Sequence, residues 1–179
     1  MAVRKRLRHW ELAGFLTVCA VGTALRFLYG WTGGSAFAAP FAAVNESTWE
    51  RMKTLFVPYF VFTLAEYPAF ADALRGFFAV KAAAGVTGLL LIPTLCFTVS
   101  GAFGALPAWA NAAIFYIAAA AAYLVSLRLL PGASLRGALW QAAGFALLWA
   151  LAFLFVRFTY RPPQIPLFLD PQTLRCGIP

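Results

Sequence analysis

The chain has little charge, one histidine, three cysteines and no regular alternation of polar and apolar residues, and each scarcity narrows what it can be. Charged residues make up 11% of its 179 positions, while the hydrophobic fraction is 63% and the mean hydropathy is +0.79. Soluble domains average about 25% charged residues, so this chain has too little polar surface to coat a water-soluble globule. Outer-membrane barrels repeat alternating segments of about 10 residues, and no such pattern is present. The lone histidine, His9, sits in the basic N-terminus, which removes the His-rich zinc sites of membrane hydrolases. With no Cys-x-x-Cys, neither a metal motif nor a disulfide framework follows. Cys19 and Cys96 fall inside apolar runs as packing residues, and Cys176 stands near the C-terminus as a free thiol. No metal and no cofactor is expected. There is no internal repeat of the kind that marks many transporters, and no nucleophile motif or phosphate loop.

What is present is a series of apolar runs approaching the roughly 20 residues that span a hydrocarbon core. The expected fold is an all-α polytopic transmembrane helix bundle, a single membrane domain over residues 1–179 with about five spans. These fall near 12–31, 50–68, 79–101, 109–130 and 136–157, followed by a tail over 158–179. Arg4, Lys5, Arg6 and Arg8 precede the first run, with Trp10 as an interfacial anchor. This start also resembles a secretory signal ending at Ala36-Phe37-Ala38. The bulky stretch from Arg26 to Trp31 argues against cleavage there, so the segment is taken as the first span. Residues 32–44 read as a loop or short re-entrant segment around Gly33, Gly34 and Pro40. Pro58 should kink the second helix by freeing the carbonyl of Thr54. Ala118 to Ala122 permit close helix approach in the fourth.

The formal charge of +8 is explained by the positive-inside rule rather than by a nucleic-acid surface, and no nucleic-acid partner is expected. Basic residues stand at the N-terminus, in the turn between spans two and three (Arg75 and Lys81, beside Asp72) and in the turn between spans four and five (Arg128 and Arg136, around Pro131-Gly132-Ala133-Ser134). The loop between spans three and four has none. This places the chain in the cytoplasmic (inner) membrane with its N-terminus cytoplasmic and its C-terminus outside. Arg51, Lys53, Arg157, Arg161 and Arg175 weigh the other way. Trp10 and Trp140 then mark the inner interface, and Trp31, Trp49 and Trp109 the outer one.

The densest polar stretch beyond the N-terminus is Asn45-Glu46-Ser47-Thr48-Trp49-Glu50-Arg51-Met52-Lys53. Ser47 to Glu50 fits a capping box, with Asn45 as an alternative cap. With the proposed topology, Arg26, Arg157 and Asp170 reach the same outer level. The candidate binding constellation is therefore Asn45, Glu46, Trp49, Glu50, Lys53, Arg26, Arg157 and Asp170. Two carboxylates four residues apart repel unless basic neighbours hold them or one takes a proton. The alternative is purely structural: a helix cap with interfacial ion pairs. On the inner side, Glu66 and Lys81 lie equidistant from the second turn, where they either pair across the hairpin or snorkel to water.

Two motifs, Asn45-Glu46-Ser47-x-Trp49-Glu50-x-x-Lys53 and Pro162-Pro163 followed by Pro166-Leu167-Phe168-x-Asp170-Pro171-x-Thr173, are similar to those of a domain-of-unknown-function family of small bacterial and archaeal multi-helix membrane proteins. Order and length agree over most of the chain. Those proteins have a histidine after the Trp-Glu pair where this chain has Arg51, and a Gly-x-Tyr-Gly-like end where it has Leu174-Arg175-Cys176-Gly177. The resemblance implies a helical membrane fold and paired motifs, and no activity.

Three functions fit these features. The leading expectation is binding or transport of an ion or small polar solute through the outer charged cluster, in a bilayer and as a homo-oligomer, because intramembrane ionisable groups default to that role. A polar cavity running from Glu50 towards Glu66 would favour it. A membrane enzyme acting on a lipid or isoprenoid headgroup would show a lateral, lipid-facing cleft beside the cluster. An accessory or assembly protein would show a filled outer face with satisfied charges.

Overall fold

The computed structural model describes residues 2–71, 74–132 and 137–178. Asp72, Ala133, Ser134, Arg136 and the expected start of the fifth span at 136 lie outside the described residues. Five helices make up the bundle: α1 (Ala2–Trp31), α2 (Thr48–Phe70), α3 (Phe77–Phe103), α4 (Ala108–Leu129) and α5 (Ala138–Tyr160). Among the described residues there is one isolated β-bridge, Leu169 to Cys176, and no longer strand. Four of the helices, α1, α3, α4 and α5, are long and apolar enough to cross a membrane. The chain is a polytopic helical membrane protein.

The exception is α2, which is long enough but carries Glu50, Arg51, Lys53 and Glu66. It packs against each of the other four helices, and those charges face protein rather than lipid. Polar groups at membrane depth are tolerated where protein surrounds them, so the one helix without a long enough apolar stretch takes the innermost place.

The largest departure from the sequence-based expectation is at the N-terminus. α1 begins at Ala2 rather than near residue 12, so the basic segment is its first turns. Leu7, Glu11, Gly14, Val18 and Gly22 are all buried, a spacing of three and four that lines one face of a helix. Glu11 thus points into the bundle.

Between helices in lipid there is no hydrophobic driving force, and close backbone approach replaces it. A Cβ on Gly144 of α5 would stand 2.5 Å from the backbone of Ala79 on α3. Ala118, Ala119 and Ala122 of α4 are fully buried, and a Cβ on Gly88 of α3 would meet the Ala118 carbonyl at 2.9 Å. At Gly22 a Cβ would come within 2.8 Å of the Thr54 carbonyl. That carbonyl is the one whose helical donor Pro58 removes, so α1 seals the gap the proline opens.

Residues 32–47 form a string of turns folded back onto the bundle. Ala39, Ala42 and Val44 are buried, and the Ala43 N–H donates to the Leu25 carbonyl at 3.1 Å. The C-terminal tail also returns to this end through a short 3-10 helix, Pro166–Phe168, and packs Phe168 against Trp49.

Candidate functional site

Ser47 caps α2: its backbone is extended (φ −64°, ψ 157°) and its hydroxyl accepts from the Glu50 N–H at 3.4 Å. The rest of the expected capping box is rearranged. Asn45 Oδ1 accepts the Ser47 N–H at 2.9 Å, and the Glu50 carboxylate reaches further back, to the Val44 N–H at 2.9 Å. An N-terminal carboxylate in this place also favours the helix dipole.

Glu50 pairs with Lys53, Oε2 to Nζ 2.6 Å, with side-chain exposures of 3% and 0%. Lys53 gives its other protons to the Ala39 carbonyl and to Thr159 Oγ1, both at 2.9 Å. An ammonium has three donors, and all three are used. The pair therefore ties the 32–47 loop, α2 and α5 together. Trp49 is buried within the protein. Its ring lies 4.5 Å from Phe155, 5.6 Å from Phe158 and 4.7 Å from Phe168, centroid to centroid. Asp170 is buried in the turn it closes, taking the Gln172 N–H and the Thr173 hydroxyl. Arg157 is exposed in the last turn of α5 and lines none of the three cavities described below.

The remaining members of the constellation stand differently. Arg26 Nη2 meets Glu46 Oε2 at 2.6 Å, and Arg51 Nη2 stands 3.8 Å from the same oxygen. Arg51 also donates to Asn111 Oδ1, to the Glu46 carbonyl at 3.2 Å and towards Cys96 Sγ at 3.6 Å, while its buried Nε–H has no hydrogen-bond partner. Two guanidiniums share one carboxylate, which leaves a formal unit of positive charge.

Two cavities flank this bridge. One, of about 470 Å³, runs between α1 and α4 past Phe27, Trp109, Phe115 and Tyr116, with Asn45 on its wall. The other, of about 510 Å³, lies against α3 and the tail, past Phe97, Ser100, Leu169 and Gln172. Arg26, Glu46, Arg51 and Asn111 line both. Phe27, Trp109 and Tyr116 are exposed on the outside of the bundle, so the first cavity opens sideways between two apolar helices.

At the other end, Lys81 Nζ stands 2.6 Å from Glu66 Oε2 and 2.8 Å from Glu11 Oε1. Pairing Glu66 with Lys81 alone misses Glu11. It also misses Ser126, whose hydroxyl donates to Glu11 Oε1 at 2.7 Å.

Arg51 and Asn111 are likewise absent from the sequence-derived constellation. Arg51 lies inside the central motif but counts, in the sequence, only among the basic residues that weigh against the expected orientation. Asn111 had a usable signal, an amide in the first turn of an otherwise apolar helix. Among the described residues, no group of three His, Cys, Asp or Glu side chains could hold a metal ion.

A family model described as a family of unknown function (DUF6512) matches residues 1–178, and the chain belongs to that family. No curated protein and no solved structure matches it.

Proposed function

For a member of a family whose function is not established, we propose from the geometry that this membrane protein binds an anionic amphiphile, a lipid with a phosphate headgroup, at Arg26 and Arg51. The observation that carries the reading is the paired guanidiniums at the meeting point of two cavities, one opening laterally between α1 and α4. Guanidinium groups bind phosphate through charge-assisted, often bidentate hydrogen bonds. The unpartnered Arg51 Nε–H and the excess positive charge favour an anion there. The aromatic wall of Phe27, Trp109, Phe115 and Tyr116 suits an acyl or isoprenoid chain.

A solute path through the bundle would join Glu50 to Glu66, and neither residue lines any of the three cavities. This favours headgroup binding over conduction. The role is binding rather than turnover, since the one carboxylate at the site, Glu46, is held by arginine.

The test is a thermal-shift titration of purified protein with phosphatidic acid, phosphatidylcholine and inorganic phosphate. Selective binding to the folded state raises its apparent stability, by about 2.7 kcal/mol at a hundredfold excess over Kd. Phosphatidic acid should raise the melting temperature in the wild type and much less in Arg51→Gln. Equal shifts with phosphatidylcholine would sink the reading.

A further inference from the structure

The Glu11–Lys81–Glu66 cluster is independent of the arginine site. It brings together groups from four helices: Glu11 from α1, Glu66 and Tyr59 from α2, Lys81 from α3, and Ser126 and Tyr123 from α4. Glu66 and Lys81 have no exposure and Glu11 has 3%. The α5 residue packed nearby, Gln141, accepts the Phe78 and Ala79 N–H groups and adds no charge. Arg8, one turn before Glu11, is exposed, as is Arg128 near the end of α4.

Two carboxylates therefore face one ammonium in a closed apolar setting. Fully ionised, the cluster would bury an uncompensated negative charge, which costs several kcal/mol. The hydrogen bonding is unfinished in the same place. Glu11 Oε2, Glu66 Oε1 and Tyr123 Oη are buried and have no hydrogen-bond partner. Glu11 and Tyr123 also line a lateral cavity of about 230 Å³ with Arg8, Leu12, Phe15 and Leu124. Leu12 and Leu124 are exposed at its edge.

We propose that this triad is a binding site for one exchangeable proton, shared between Glu11 and Glu66 and reached through the cavity beside Glu11. A proton from water adds to a carboxylate oxygen, giving a neutral cluster of one carboxylic acid, one carboxylate and one ammonium. Lys81 touches both carboxyl groups, so the proton's site changes with only a shift of that ammonium. The ligand is a proton rather than a metal cation because the ammonium already fills the space between the carboxylates, and the cavity wall beside Glu11 adds a guanidinium, Arg8, a phenol, Tyr123, and apolar side chains but no second carboxylate.

The experiment is infrared difference spectroscopy on the full chain, labelled with 13C-glutamate, in phosphatidylcholine nanodiscs during a pH titration. The wild type should show one glutamic-acid C=O band whose intensity titrates identically in sodium and choline buffers. The band should disappear in Glu11→Gln or Glu66→Gln. If either variant fails to fold, the double variant Glu11→Asp/Glu66→Asp keeps both carboxyl groups and should move the band out of the labelled-glutamate position. The proposal is overturned by a wild type with no such band, by a band that survives these changes, or by a titration set by sodium rather than by pH.

Discussion

Glu50 and Lys53, and Glu46 and Arg51, come from one short stretch of sequence around the start of α2, yet the first pair is shut away at 3% and 0% exposure while Glu46 keeps 30% and its partner from α1, Arg26, 29%. In the first pair every ammonium proton has an acceptor. In the second, one carboxylate serves two guanidiniums beside two cavities, with a guanidinium N–H left over. Satisfied charges hold three segments together, whereas an unsatisfied surplus stands next to empty space, which is what the proposed anion site requires. The difference arises from the cap. Once Ser47 starts the helix, Glu50 and Lys53 turn towards the 32–47 loop and α5, and Arg51 turns towards α4.

The comparison is most sharply strained by breaking the closed pair. Lys53→Met leaves Glu50 buried without its counter-charge, which should cost about 3–5 kcal/mol. In a denaturant titration in detergent, the double variant Glu50→Gln/Lys53→Met should lose clearly less than Lys53→Met alone, because the stranded charge is gone. Gly144→Ala, in the bundle but distant from both clusters, should cost about 1–3 kcal/mol by overpacking. That loss should appear in the melting temperature with lipid selectivity retained.

Arg51→Gln should act in the opposite sense. It should lower affinity for phosphatidic acid about tenfold, the effect of losing roughly one charge-assisted hydrogen bond, while the unfolding midpoint moves much less than for Lys53→Met. Arg157→Ala should do neither. Its side chain is exposed and outside the three cavities, so stability should stay within about 0.5 kcal/mol of the wild type and lipid binding should be unchanged. A tenfold loss of affinity on Arg157→Ala would mean that the site extends beyond the two cavities beside Arg26 and Arg51.

Much of this molecule was legible in its sequence. Apolar run length marked the helices, and four of them have the length and composition to cross a membrane. Ser47 read correctly as the cap because capping is a local rule. Glu11 was obscured by its basic neighbours, although Leu7, Glu11, Gly14 and Val18 carry a helical spacing that begins well before the apolar run. The roles within the central motif were not legible, since they depend on partners far along the chain. Thr159 completes the shell of Lys53, and Asn111 orients Arg51. That α1 and α2 both contribute to each charged cluster, Glu11 with Glu66 at one and Arg26 with Arg51 at the other, follows from a register visible only after folding. Glu11 and Arg26 are separated by the same number of residues as Arg51 and Glu66, so two antiparallel helices bring both pairs of ends level, about 22 Å apart at 1.5 Å per residue.

The most direct measurement is the affinity of Glu46→Gln for phosphatidic acid, by native mass spectrometry in detergent. Glu46 stands where an anionic headgroup would be held, between the two guanidiniums, so removing its charge should tighten binding several-fold with little change in melting temperature. Binding that weakens together with a lower melting temperature would mean that Glu46, like Glu50, is part of the structure, and that the arginine pair is not a site for anions.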